Sequence, residues 1–287
     1  MDQLLHRAKR RQALKVIIIS SITVIIVALA GVFGISRMTT HQAGALYHDL
    51  DVYHTLKEPN VQVASELLNG NTLVGGAIVT QEYKNLDGYI VKWQRLSSSY
   101  TSLRHQLDQT LTATGSIQTA DSSQAVNADS GQKVALFYTT TKKLPNEAAA
   151  LPNGQVGEVA VTFKHPYTYA ELRHVLPKNV NLTWGFVFSE ATQETGAVAR
   201  QADPVGIDLS AGLSLKYWQS ALREYHPNQA ASAKAKALRA SKKTLKFAGV
   251  MVTGRSEALR QLAHAKGIAG TSVGATTQRV AYIHPKR

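Results

Sequence analysis

From Val16 to Ile35 the chain reads VIIISSITVIIVALAGVFGI, twenty residues without a charge, in which only Ser20, Ser21 and Thr23 are clearly polar. A helix of about 20 residues rises ~30 Å, which matches the hydrocarbon core of a bilayer. Backbone groups in lipid must find partners within their own segment, so such a stretch should be helical. The pattern predicts a single transmembrane helix over residues 16–36. Arg7, Lys9, Arg10, Arg11 and Lys15 precede it, and only Arg37 follows closely. That asymmetry predicts a cytoplasmic basic tail, 1–15, and an extracytoplasmic location for everything after Arg37. A cleaved export signal is the alternative, because Ala28-Leu29-Ala30 has the small-x-small pattern of a cleavage site. The apolar run continues past Ala30 to Ile35, which is long for a signal core.

Residues 37–111 read as a membrane-proximal α+β region that begins as a linker. Leu46, Leu50 and Tyr53 have helical spacing, which Pro59-Asn60 breaks. Leu73 to Val79 and Tyr89 to Trp93 are β-rich, with Gly75, Gly76 and Asp87-Gly88 as turn signals of a hairpin. Trp93, Leu96, Tyr100, Leu103, Leu107 and Leu111 recur every three or four residues and predict a helix with one apolar face. Residues 112–132 are small and polar and read as a loop or linker. Lys133 to Thr141 reads as a strand, and Pro145 to Gly154 as a turn-rich connection.

In residues 133–287 strands and helices alternate. A strand ends at Phe163. Thr168 and Glu171 form a capping box opening a helix from Tyr169 to Leu176, which Pro177 stops. Leu182 to Phe188 is the next strand. Phe247 to Val252 is another, followed by a helix that Ser256 can cap and Gly267 can end, and by a strand from Arg279 to Ile283. Gly267, Gly270 and Gly274 between them read as a turn. Two β-α-β units, about 156–188 and 247–283, thus flank a helical middle. The expected fold class is α+β: one transmembrane helix, then an outer region ending in an α/β sandwich of ferredoxin-like β-α-β units with a helical insert. In the insert, Leu215, Trp218, Leu222 and Tyr225 mark one helix, with Trp218 and Trp184 as core aromatics. The following NQAASAKAKALRASKKTLKF carries Lys234, Lys236, Arg239, Lys242, Lys243 and Lys246 and no acid. It reads either as a contact for anionic polymers or membrane, or as a solvated charged face.

The 287 residues leave about 250 after the span, enough for one large or two small domains. Net charge is +13; five basic residues against Asp2 put +4 before the span and leave +9 after it. The tail is attracted to anionic headgroups and the outer part to anionic envelope polymers, and the topology argues against direct contact with nucleic acid. Absence of cysteine excludes disulfides, thiol catalysis and cysteine-ligated zinc. No nucleophile elbow, Ser-x-x-Lys or His-Glu-x-x-His motif occurs, and no tight His/Asp/Glu spacing marks a metal site. No enzyme activity and no cofactor are therefore expected. His41, His48 and His54 read as solvated residues of the membrane-proximal linker.

The stretch GEVAVTFKHPYTYAELRHVLPKNVNLTWGFVFS, Gly157 to Ser189, resembles the opening of the sigma-factor-regulator C-terminal domain of Gram-positive bacteria. The resemblance rests on Glu158, Thr162-Phe163, Lys164, Pro166-Tyr167, Leu176-Pro177 and Trp184. GVMVTGRSEALRQL (Gly249 to Leu262), with Gly274 beyond, is similar to a second family segment, and Lys133 to Tyr138 to the strand leading in. The span and the region to about residue 110 look like the accompanying N-terminal region. The resemblance implies a membrane regulator tied to an extracytoplasmic-function sigma factor, either an anti-sigma factor or its accessory. The sigma factor or a small membrane protein would be its partner. Two features depart from the family pattern: a tail of fifteen residues is too short for a folded sigma-holding domain, and a Trp-x-Trp strand here reads Trp184-Gly185-Phe186. A surface-anchored binding module for anionic wall polymers is the other reading.

Overall fold

The computed structural model describes residues 2–107, 115–119, 122–139, 144–193, 201–227 and 230–280. One helix, α1 (Asp2–Lys57), contains the whole apolar stretch, and every side chain from Val16 to Ile35 is exposed. The helix does not give way to a linker at residue 37. The spacing of Leu46, Leu50 and Tyr53 carries it on for about six more turns, and it ends ahead of Pro59 and of Asn60, whose φ is 57°.

The chain divides into two compact units. The first comprises Met1–Tyr47, Leu68–Ile78 and Ser98–Leu107. Within it the Thr39 hydroxyl donates to the Leu73 carbonyl at 2.8 Å, and the Ser102 N–H to the Val74 carbonyl at 2.9 Å. A His105 ring nitrogen lies 2.7 Å from Gln42 Oε1. Leu73, Val74 and Leu103 are exposed there.

A four-stranded sheet runs in the order β1 (Val61–Thr72), β2 (Gly75–Leu86), β3 (Tyr89–Thr101), β4 (His105–Gln106). The predicted Asp87-Gly88 turn joins β2 to β3 with φ of 57° and 96°, the left-handed pair of a tight hairpin. The helix expected from Trp93 onward is instead β3. Leu96, Ser98 and Tyr100 alternate inward, and buried Trp93 and Gln94 side by side break the alternation. That break gave Trp93 and Leu96 their helix-like step of three. Leu107 follows the sheet, and Leu111 lies outside the described residues. Part of the expected 112–132 loop forms a hairpin, β5 (Gly115–Thr119) with β6 (Ser122–Val126).

The second unit comprises His48–Leu67, Val79–Ser97 and Asp108–Arg287. Its main sheet is built from β7 (Gln155–Thr168), β8 (Asn181–Gln193), β9 (Gln201–Asp208), β10 (Lys246–Arg255) and β11 (Ile268–Gln278), in the order β11-β7-β10-β8-β9. All four pairings are antiparallel. β10 lies between β7 and β8, which α2 (Tyr169–Val175) connects. This is the split β-α-β arrangement expected, extended by β9 at the edge, where Pro204 removes no ladder bond to an outer neighbour. The capping box opens α2: the Thr168 N–H and hydroxyl donate to Glu171 at 2.7 and 2.8 Å. The insert supplies α3 (Leu215–Glu224) and α4 (Ala231–Arg239), and α5 (Ser256–Leu259) leads to β11 through a 3₁₀ turn. The helices cover one face, where Leu172, Trp218, Leu222, Ala237 and Leu259 meet Val159, Val161, Val250 and Val252.

Two strand expectations fail here. Lys133 to Tyr138 is extended but makes no ladder. It pairs at single points instead: Lys133 forms an isolated antiparallel bridge with Val126, the Val134 N–H donates to the Ala125 carbonyl at 2.8 Å and the Phe137 carbonyl accepts from the Ala202 N–H at 2.9 Å, while the Leu136 and Tyr138 N–H groups donate to the side chains of Ser272 and Thr162 at 3.1 and 3.2 Å. Residues 140–143 are outside the described residues. The closing strand is Ile268–Gln278, not Arg279 to Ile283, of which residues 281–283 are not described. Its glycines mark close approach rather than a turn: a Cβ at Gly274 would come within 2.5 Å of Glu158 Oε1.

Glu158 is fully buried on β7 and collects four elements. Its carboxylate accepts from Lys84 Nζ at 2.6 Å, from Asn60 Nδ2 at 2.8 Å and from the Ala275 N–H at 3.2 Å. Lys84 stands 4.0 Å from the Trp93 ring centroid. Removing one member of a buried pair strands the other charge, at a cost of about 3–5 kcal/mol, whereas an apolar replacement of both is near neutral. Lys84→Met should therefore lower stability by about that much and Lys84→Met with Glu158→Leu by much less. Urea unfolding followed by tryptophan fluorescence reads both, and equal losses in the two variants would contradict the pairing.

Candidate functional site

Within the second unit, the last turn of α1 brings together side chains that sequence spacing did not connect. His54 and Glu58 are one helical turn apart, and Glu82 comes from β2. One potential ligand atom from each lies within 4.8 Å of the other two. His54 Nδ1 contacts Glu58 Oε2 and lies 3.7 Å from Glu82 Oε1, and Nε2 lies 3.9 Å from Glu66 Oε1 on β1. The Glu58 and Glu82 side chains are wholly buried and that of His54 is 12 % exposed. Glu82 Oε2 accepts from Gln94 Nε2 at 2.8 Å, and Gln94 Oε1 accepts from Asn127 Nδ2 at 2.8 Å. His54 and Glu58 also line a cavity of about 440 Å³, with Asp51, Asp208, Tyr217 and Trp218. The Tyr217 hydroxyl donates to Asp51 at 2.7 Å there.

Too many carboxylates share too little water. Burial first, and then the charge of Glu58, push the Glu82 carboxyl up to about 8, against the pull of His54, the Gln94 hydrogen bond and Lys84. Burial opposes the charged form of His54, but the Glu58 hydrogen bond and the charges of Glu58, Glu82 and Glu66 outweigh it, and its pKa is raised. The Glu66 carboxyl is raised as well, chiefly by burial. The cluster can thus hold a proton between carboxylates at neutral pH, or exchange it for a cation.

The sequence search for metal spacing missed this group because Glu82 is remote in the chain and His54 reads as a linker residue. The helical period joining His54 to Glu58 was the available signal. His41 is exposed, and His48 faces Glu224 at the surface. Among the basic residues singled out, Lys236, Arg239, Lys242, Lys243 and Lys246 are exposed. Lys234 is not a free contact: its ammonium donates to the Arg223 carbonyl at 3.0 Å and to that of Tyr225, and so caps the end of α3. Arg10 and Lys15 are exposed on α1, whereas the side chains of Arg7, Lys9 and Arg11 are outside the described residues.

Comparison with known families adds two matches. Residues 2–91 match the family described as sigma factor regulator N-terminal, and residues 149–243 the one described as sigma factor regulator C-terminal. The chain belongs to the sigma factor regulator family. It is therefore a regulator of sigma factor activity and of transcription, from a regulatory rather than a catalytic family. Neither the curated proteins nor the solved structures compared give a match. The C-terminal match contains the Gly157 to Ser189 segment; the Gly249 to Leu262 segment and Lys133 to Tyr138 lie outside both matches. His54, Glu58, Glu66 and Glu82 all fall in the N-terminal match. The departure at residue 186 is a packing exchange, since buried Phe186 meets the Phe137 ring at 5.1 Å beside Trp184 at 5.7 Å.

The cluster fixes a pH dependence. Glu82 and His54 both bind a proton more tightly in the folded chain, so between pH 4.5 and about 8 the folded state carries the excess protons. Stability should fall as pH rises through that window, by about 1.4 kcal/mol per pH unit for one proton. Glu82→Gln should flatten the slope. Urea midpoints at pH 5, 6, 7 and 8 with EDTA present measure this, and parallel curves for the two proteins would exclude a raised Glu82.

Proposed function

We propose that this regulator is a single-pass membrane protein acting as an anti-sigma factor, or as accessory to one, for an extracytoplasmic-function sigma factor. The residues before Val16 face the cytosol, and the residues after Arg37 form an outer sensing or docking region. The observation that carries this reading is the match of both family regions on a chain whose α1 holds one uncharged, fully exposed stretch of membrane length with basic residues concentrated before it. The exposed Leu73, Val74 and Leu103 support it: the hydrogen bond from Thr39 holds Leu73 three residues beyond the span, where apolar side chains sit well at a bilayer interface.

The helix supplies the route for a signal. α1 is continuous from Asp2 to Lys57, about 84 Å at the α-helical rise, so one helical element carries both the basic N-terminal residues and His54 along the chain. A ligand that changes the packing of its last turn can bias its position in the membrane, provided that it binds the two states unequally. Affinity capture of the full chain from detergent-extracted membranes should recover a sigma factor, or a small membrane protein that holds one. Depletion of the chain should raise expression from that sigma factor's promoters. Recovery of neither partner, with unchanged promoter output, would contradict the proposal.

A further inference from the structure

We propose that His54, Glu58 and Glu82 form a binding site for one divalent cation of the zinc class, with Glu66 and Gln94 orienting the ligands. The inference goes beyond sigma factor regulation and does not rest on it, because it is argued from these side chains alone.

The donor set suits such an ion. Imidazole nitrogen and carboxylate oxygen both bind zinc at about 2.0–2.2 Å, so tetrahedral neighbours should stand about 3.3 Å apart. The 3.7 Å between His54 Nδ1 and Glu82 Oε1 is close to that, and the tight His54–Glu58 contact has only to open slightly. Charge also balances: a neutral imidazole and two carboxylates neutralise one divalent ion. Without the ion, Glu58 places a carboxylate at the negative end of a helix, where anions are disfavoured.

A separate observation points to a ligand. Glu58 Oε1 and Glu82 Oε1 are buried and have no hydrogen-bond partner, although each residue's other oxygen has one. Buried carboxylate oxygens are normally paired or bound to metal. The surroundings are those of a built site. Gln94, itself held by Asn127, fixes Glu82, and Glu66 lies 3.9 Å from His54 Nε2, a carboxylate near enough to orient the ring once it closes to hydrogen-bond distance. The cavity beside His54 and Glu58 supplies an entry path and room for water as a fourth ligand.

Purified full-length protein in detergent, stripped with EDTA and dialysed against zinc with a competing chelator, should take up one zinc per chain with release of protons. Its thermal midpoint should rise on zinc addition. His54→Gln and Glu58→Gln should each weaken uptake at least tenfold, and Gln94→Ala should weaken it about 10–100-fold while keeping the stoichiometry. Exposed His48→Gln should change nothing. Glu82→Gln should lose binding yet raise the midpoint of the zinc-free protein, which separates loss of a ligand from loss of the fold. A wild-type chain that takes up no zinc, or whose midpoint zinc leaves unmoved, overturns the proposal without reference to any variant. Binding equally strong in His54→Gln and Glu82→Gln also overturns it, since the zinc then sits on surface histidines.

Discussion

A single buried carboxylate organises the second unit. Glu158 sits on β7 with no exposure, and it can be charged there only because Lys84, Asn60 and the Ala275 N–H converge on it. Those partners come from β2, from the turn after α1 and from β11. Satisfying one charge therefore ties the turn after α1 and β2 to β7 and explains why residue 274 is glycine. Lys84 also contributes to the field at Glu82, so the ion pair that holds the unit together lies next to the group with the most perturbed proton affinity.

That adjacency gives the helix its interest. His54 in the last turn of α1 and Glu58 just beyond its end face a carboxylate from another element. Burying three titratable groups together makes the local packing depend on what neutralises them, proton or cation, and sites of this kind are suited to having two states. The apolar core on the helical face of the sheet has no such dependence and serves as the fixed frame.

Much of this was legible in the residues. The long apolar helix, the capping box at Thr168 and Glu171, the Asp87-Gly88 turn and the first β-α-β unit follow from periodicity and turn chemistry, whereas the second unit closes on Ile268–Gln278 rather than on Arg279 to Ile283. The sequence failed where tertiary contacts overrode local composition. Lys133 to Tyr138 has strand composition, but it mixes isolated backbone pairs with bonds to the Ser272 and Thr162 hydroxyls. Gly270 and Gly274 look like a turn but accommodate Leu144 and Glu158 inside a strand. Trp93 and Leu96 mimic a helical step across an irregularity in β3. The site was illegible because its members lie on α1, β1 and β2, and only tertiary pairing brings Glu82 to His54. In the basic stretch five of the cations are exposed, while Lys234 caps a helix.

The proposed topology places the residues after Arg37 outside the membrane, and the cysteine-free sequence makes that directly measurable. Single cysteines at Gln3→Cys and at exposed Ser232→Cys, treated in intact cells with a membrane-impermeant maleimide, give the answer. The account predicts labelling at 232 in intact cells and at position 3 only after permeabilisation. Labelling at position 3 with protection at 232 would contradict it.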